Sequence, residues 1–375
     1  MTKCPFRALA VFLLALLLAL PLAMPLSASP TVSGNAACLY LPQNNSFIFK
    51  KNADARLPMA STTKIMTALT VLEHTDLEEV VTVSRAAAGI EGSSAYLQAG
   101  NRFTVEDLLY ALLLASANDA ATALAIHVAG SEQAFADLMN EKAQELSLKD
   151  THFTNPHGLY DPAHYTTAAE LAIISAAAME NGDFTRIAAT KSKVITSEDG
   201  ETVRTLFNHN KLLRSYPDCI GIKTGFTKDS GRCLVSAAER EGLLLIAVTL
   251  DAPNDWQDHT AMLDFGFSVY KGYCVAESEL SFKIPVVSGA KEDVTLSPLS
   301  PLTLVLPKAA GTPSLSLEIN RFAVAPIRRG ATLGMATYTL DGKIIARVPL
   351  IAKESIAAVK PKENLFDKFK HLFNL

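Results

Sequence analysis

Neither glycine pattern that cradles nucleotide phosphates, G-x-x-x-x-G-K-[ST] or G-x-G-x-x-G, occurs in the sequence, so no nucleotide is inferred. An excess of basic charge is missing too. The formal net charge of −4 argues against a nucleic-acid-binding surface. Cysteine is scarce, with five in 375 residues. Cys4 lies in a leader-like segment, and Cys38, Cys219, Cys233 and Cys274 have no close pairing of the zinc type. Cys219 and Cys233 are a candidate disulfide after export, with buried free thiols as the plainer alternative. What is plentiful is apolar side chains, 49% of the chain, enough for a full core in more than one domain. No internal repeat is apparent.

Four segments are expected. Residues 1–29 read as a signal peptide: Lys3 and Arg7 precede an apolar run from Ala8 to Leu26, and small residues Ser27, Ala28 and Ser29 follow. An uncleaved anchor is the alternative, because the run approaches spanning length. Residues 30–272 form a catalytic domain ending in a helix around Trp256 to Tyr270. Residues 273–358 alternate in the manner of strands, and Asp341-Gly342 between two such runs is a hairpin signal, so a small all-β domain is expected. Residues 359–375 are a tail in which Leu365, Phe366, Phe369, Leu372 and Phe373 fall on one helical face. Too short and charged to span a bilayer, it suits the membrane surface, or alternatively docks on the β domain.

Three short motifs carry the chemistry. The first is Ser61-Thr-Thr-Lys64. Three residues are one helical turn, so hydroxyl and amine share a face. A serine is a weak nucleophile until a base takes its proton, and a neutral lysine one turn away can be that base. The segment from Leu57 to Glu73 reads as a buried helix with Pro58 in its first turn. Burying an ammonium is costly, so Lys64 there is either neutral or paired. The second motif, Ser116-Ala-Asn118, sits in a turn between two apolar helices. The third, Lys223-Thr224-Gly225, edges a strand followed by two more, which suggests an antiparallel meander. Gly225 lets a ligand backbone come close to that strand.

S-x-x-K, S-x-N and K-T-G in this order are shared by penicillin-binding proteins and class A β-lactamases. The chain resembles the serine-type D-alanyl-D-alanine carboxypeptidases, the low-molecular-weight penicillin-binding proteins. The likeness runs over about residues 32–272 and includes Asn155-Pro-His-Gly-Leu159 and Gly221-Ile-Lys-Thr-Gly-Phe-Thr227. It implies an α+β fold, a helical lobe against an antiparallel sheet flanked by helices. It further implies export to the outer face of a bacterial membrane, a peptidoglycan stem peptide ending in D-Ala-D-Ala as substrate, β-lactams as acylating ligands, and no cofactor or metal.

The residue roles it implies are these. Ser61 attacks, Lys64 takes the proton and Ser116 relays one to the leaving amine. The backbone N–H groups of Ser61 and Phe226 hold the oxyanion. Asn118 binds the substrate amide, Lys223 supplies positive charge that favours a neutral Lys64 and attracts the terminal carboxylate, and Thr224 contacts that carboxylate. His209 and Phe226 depart from some relatives, which have Arg and His there. A class A β-lactamase needs a glutamate-activated water, yet no glutamate lies between Asp150 and Thr167, and Ala117 stands where those enzymes have Asp. His152, His157 and His164 fall close in sequence, but their spacing suits no zinc site on one helix face.

Overall fold

The computed structural model describes residues 29–359. The signal-peptide and tail expectations fall almost entirely outside that range.

The strands Ala36–Leu41 and Leu243–Leu250 are apolar at nearly every position, as strands covered on both faces should be. They belong to a five-stranded antiparallel sheet ordered Ser46–Lys51, Ala36–Leu41, Leu243–Leu250, Gly231–Arg240, Cys219–Thr227. The last three strands are the expected meander. Alternate side chains enter different cores. Cys38 and Tyr40 join the larger one with Ile65, Met66 and Leu108, while Leu39 and Leu41 join Met262, Leu263 and Phe267 of the helix Asp255–Val269. The sheet is thus sandwiched between that helix and a helical lobe.

The lobe's helices begin where side chains can cap them. Thr104 accepts from the Asp107 N–H ahead of the helix Val105–Leu114, and Thr167 from the Glu170 N–H ahead of Ala168–Met179. The K-T-G strand is the outermost strand of the sheet, so its free edge faces the lobe. Ser61, Ser116 and the K-T-G motif gather along this seam.

The β-rich portion has its own core and a six-stranded sheet. Its hairpin, Thr332–Leu340 with Lys343–Ala352, turns at Asp341 and Gly342 with φ of 48° and 76°, the two left-handed residues that such tight turns require. The strand Tyr270–Val275 crosses the expected boundary at residue 272 and pairs with Leu302–Pro307. That ladder ties the end of the long helix to the β-rich portion.

One local expectation is corrected. The helix does not start at Leu57. A short 3₁₀ turn, Ala60–Thr63, comes first and the α-helix runs Lys64–His74. Thr62 and Thr63 turn their hydroxyls back onto the carbonyls of Met59 and Ala60, at 2.6 and 2.7 Å, which holds the tighter turn. Cys219 and Cys233 follow the free-thiol reading rather than the candidate disulfide. Cys219 lies opposite Ala238 and Cys233 opposite Gly225, and both are buried free thiols, as is Cys38. Cys274 is free and exposed.

Candidate active site

The 3₁₀ turn places Ser61 at the mouth of the seam, directly against the K-T-G strand. A Cβ on Gly225 would lie 3.0 Å from the Ser61 nitrogen and 3.1 Å from both Ala60 Cβ and the Thr62 nitrogen. A side chain there would have to push the turn back by a few tenths of an ångström. Ala60, just before the nucleophile, has φ 47°, and Ser116 has φ 60°. Left-handed backbone at non-glycine residues costs on the order of 1–3 kcal/mol and persists where the surroundings impose it. Both residues flank or belong to the reacting group of side chains.

Lys64 is fully buried, one turn behind Ser61. Its Nζ lies 3.0 Å from Ser61 Oγ, and it donates to Asn118 Oδ1 and to the His157 carbonyl, each at 2.6 Å. A neutral amine has two hydrogens and one lone pair. The two carbonyl oxygens can only accept, so they take the hydrogens and leave the lone pair for the Ser61 hydroxyl proton. Burial, followed by the charge of Lys223, holds the Lys64 pKa well below its ordinary value, against a smaller opposing pull from Asp119. The geometry and the electrostatics both favour a base.

Asn118 is the first residue of the helix Asn118–Ala129, and is buried. Its amide is occupied inside the protein: Oδ1 accepts from Lys64, and Nδ2 donates to the Glu91 carbonyl at 2.6 Å. Its visible contact is with the lysine, a contact sequence reasoning did not assign. Next to it, fully buried Asp119 accepts from the Ala95 and Leu97 N–H groups and from Ser94 Oγ. Asp119 thereby clamps the loop that contributes Ser93 to the site. Its position directly after the motif was the one available signal.

Ser61, Ser116, Thr224, Gly225 and Phe226 converge on one cavity of about 330 Å³. Lys64, Asn118 and Lys223 are not in its lining. Lys223 is 1% exposed and donates to the Thr224 carbonyl at 2.9 Å, and burial pushes its pKa down to about 7. The wall of the same cavity also includes His209, Lys211, Arg232 and Trp256, of which only His209 was weighed from sequence. Partial burial and then nearby Lys223 hold the His209 pKa below its ordinary value, so it is neutral at pH 7.

The three clustered histidines each have their own partners. His164 Nε2 bonds Thr63 Oγ1 at 2.7 Å, while its Nδ1 accepts from the Thr154 N–H. His157 Nδ1 accepts from the Leu159 N–H, and its Nε2 faces Glu132 at 3.6 Å. His152 Nδ1 meets the Ala163 carbonyl. The 150–167 segment therefore brings a carbonyl, from His157, to Lys64 rather than a carboxylate. Glu170 just beyond it accepts from the Lys149 and Asp150 N–H groups and Thr151 Oγ1.

This arrangement matches known proteins over almost the whole chain. The curated D-alanyl-D-alanine carboxypeptidase DacF of Bacillus subtilis (strain 168) is 33% identical over 320 residues, 82% of each chain. DacC of Escherichia coli (strain K12), named likewise, is 31% identical over 349 residues, 88% of this chain and 85% of its own. Among solved structures, penicillin binding protein 5 from Haemophilus influenzae aligns with a TM-score of 0.65 at 27% identity, covering 88% of this chain and 99% of that one. The Streptomyces K15 DD-transpeptidase aligns with a TM-score of 0.61 at 33% identity, covering 64% of this chain and 100% of that one. The profile of the penicillin-binding protein 5 C-terminal domain matches residues 275–358. The profile of the D-alanyl-D-alanine carboxypeptidases, peptidase S11, matches residues 25–254, more than half the chain, and the protein belongs to that family.

Proposed function

We propose that this chain is a serine D,D-carboxypeptidase that removes the terminal D-Ala from peptidoglycan stem pentapeptides and is acylated by β-lactams. The observation that carries the reading is the Lys64 amine, buried, bound by two carbonyl acceptors and 3.0 Å from Ser61 Oγ. In this reading Ser61 Oγ attacks the carbonyl of the penultimate D-Ala as Lys64 takes its proton. The Ser61 and Phe226 N–H groups hold the oxyanion, a contribution of about 3–4 kcal/mol per donor in comparable enzymes. Ser116 passes a proton to the departing D-Ala amine. Water then cleaves the acyl-enzyme. Asn118 holds Lys64 through Oδ1, and the second hydrogen of its Nδ2, beyond the one given to the Glu91 carbonyl, is left for the substrate amide. Thr224 and Gly225 border the incoming peptide, and Lys223 acts from behind, favouring a neutral Lys64 when it is charged.

Mass spectrometry of pentapeptide muropeptides after incubation with the purified protein tests this. Loss of one D-Ala is expected. Cleaved cross-links would indicate an endopeptidase. New cross-links would indicate transfer to an amine acceptor, the activity named for the Streptomyces K15 relative. Intact pentapeptide would refute the reading.

Substrates of this kind lie outside the cytoplasm, which fits the signal-like residues 1–29. Among the described residues no helix is long and apolar enough to cross a membrane. The apolar face of residues 361–375, read from the sequence, is assigned to the membrane surface. Deleting those residues is expected to release the mature protein from membranes with acylation by penicillin intact. A truncated protein still bound to membranes would contradict the assignment.

A further inference from the structure

A carboxypeptidase must tell a free terminal carboxylate from a continuing chain, and the sequence pointed to Lys223 for that charge. The structure turns Lys223 inward onto its own strand's carbonyl, at 2.9 Å, behind the cavity wall. We infer that Arg232 is the residue that receives the substrate's C-terminal carboxylate and so sets the preference for free-acid peptides. The inference rests on the carboxypeptidase reading above.

Arg232 lies on the strand next to the K-T-G strand, in register with Phe226, and its side chain lines the same cavity as Ser61 and Thr224. A guanidinium is charged at any working pH. Two contacts preset its direction. Its Nη2 bonds Asp255 Oδ2 at 2.9 Å, where the Asp255 side chain is only 2% exposed, and its Cζ lies 5.8 Å from the centre of the Trp256 ring. The Arg232 side chain itself is 41% exposed. Asp255 cannot use all five guanidinium N–H groups, so a fork remains for a second carboxylate. Asp255 also offsets one positive charge. Lys211, 5.9 Å from the same ring, leaves that wall net positive. Neutral His209 adds no charge. The order of residues gave no hint of this, because Arg232 and Asp255 meet only when the strand and the long helix pack.

The test measures kcat and KM on an N-acylated peptide ending in D-Ala-D-Ala, as the free acid and as its C-terminal amide. It uses wild type, Arg232→Gln and Arg232→Lys, each checked for an unchanged melting temperature. Arg232→Gln is expected to raise KM for the acid about 10- to 100-fold, the range for one charge-assisted contact, with the amide changed less than about twofold. Arg232→Lys should recover part of the discrimination, since it keeps the charge and loses the fork. Equal losses on acid and amide would assign Arg232 a structural role and overturn the inference. So would unchanged discrimination, or a loss seen with Lys211→Gln instead. If wild type cleaves neither peptide, the carboxypeptidase reading itself fails. Arg232 is then judged on acylation by benzylpenicillin against its methyl ester, and a ratio unchanged in Arg232→Gln overturns the inference.

Discussion

At neutral pH an exposed lysine is an ammonium and cannot accept a proton. Lys64 is placed differently: it is fully buried, Lys223 lies near, and two carbonyls claim its hydrogens. Two outcomes follow at this scale. The rate of penicillin acylation should reach its plateau well below the pH at which an ordinary lysine titrates, because the Lys64 pKa lies far below its ordinary 10.5. A rate that keeps climbing through pH 9 and 10 in stopped-flow measurements would contradict a depressed pKa. Lys64→Arg keeps the charge but has no lone pair to offer. It should lose at least ~10³-fold in acylation rate, within the range for removing a general base. The proximity of Ser61 and Lys64 was legible in sequence because one turn of spacing fixes it. The partners of Lys64 were not: the His157 carbonyl arrives from 93 positions away, and a backbone oxygen leaves no signature in residue type.

Among the elements, the K-T-G strand packs closely against the 3₁₀ turn. Gly225 has no left-handed backbone angle, so its importance is one of space: a Cβ there would press on the Ser61 and Thr62 nitrogens at 3.0 and 3.1 Å. Gly225→Val should push the nucleophile turn away from the sheet edge. Overpacking of this kind costs about 1–3 kcal/mol, and a shift of ~1 Å in a reacting group can cost ~10²-fold in rate. A Gly225→Val protein with wild-type acylation kinetics would refute that picture. Element identity was readable wherever the pattern was strong. The meander after Cys219 and the Asp341-Gly342 hairpin stand where alternation and turn residues put them. The start of the nucleophile helix was misplaced because Pro58 is an ordinary first-turn residue. The hydroxyl-to-carbonyl bonds of Thr62 and Thr63, which tighten the turn, compete with a helix only once the chain is folded. Cys219 and Cys233 stay free thiols, the plainer of the two sequence readings, for a geometric reason. Adjacent strands do not make adjacent residues, and the hairpin register sets them several positions apart.

Across the described residues His157, His164 and His259 are buried imidazoles held neutral, and this has a consequence for pH. Burial pushes His157 and His259 down to about 3 and His164 to about 4, from the ordinary 6.5. Below pH 6.5 the unfolded chain binds protons that the native state refuses. Stability therefore falls as pH drops through the window from 6.5 toward 3 to 4, and is unaffected by these groups above it. His259 bridges Thr249 and Ser236 of the sheet to the long helix. Between pH 6.5 and 5 a single such group accounts for about 2 kcal/mol. Replacing it by Gln should flatten the pH dependence of the chemical denaturation free energy by about that amount, and an unchanged slope would contradict the assignment.

The same fold brings Ser61, from a turn of the helical lobe, against an edge strand more than 150 positions later in the chain, and the account depends on that serine carrying the acyl group. Incubation with benzylpenicillin, followed by proteolysis and mass mapping of the modified peptide, tests this most directly. The penicilloyl mass is predicted on Ser61 in wild type and nowhere in Ser61→Ala. A label on another residue, or an equal label in Ser61→Ala, would contradict the account.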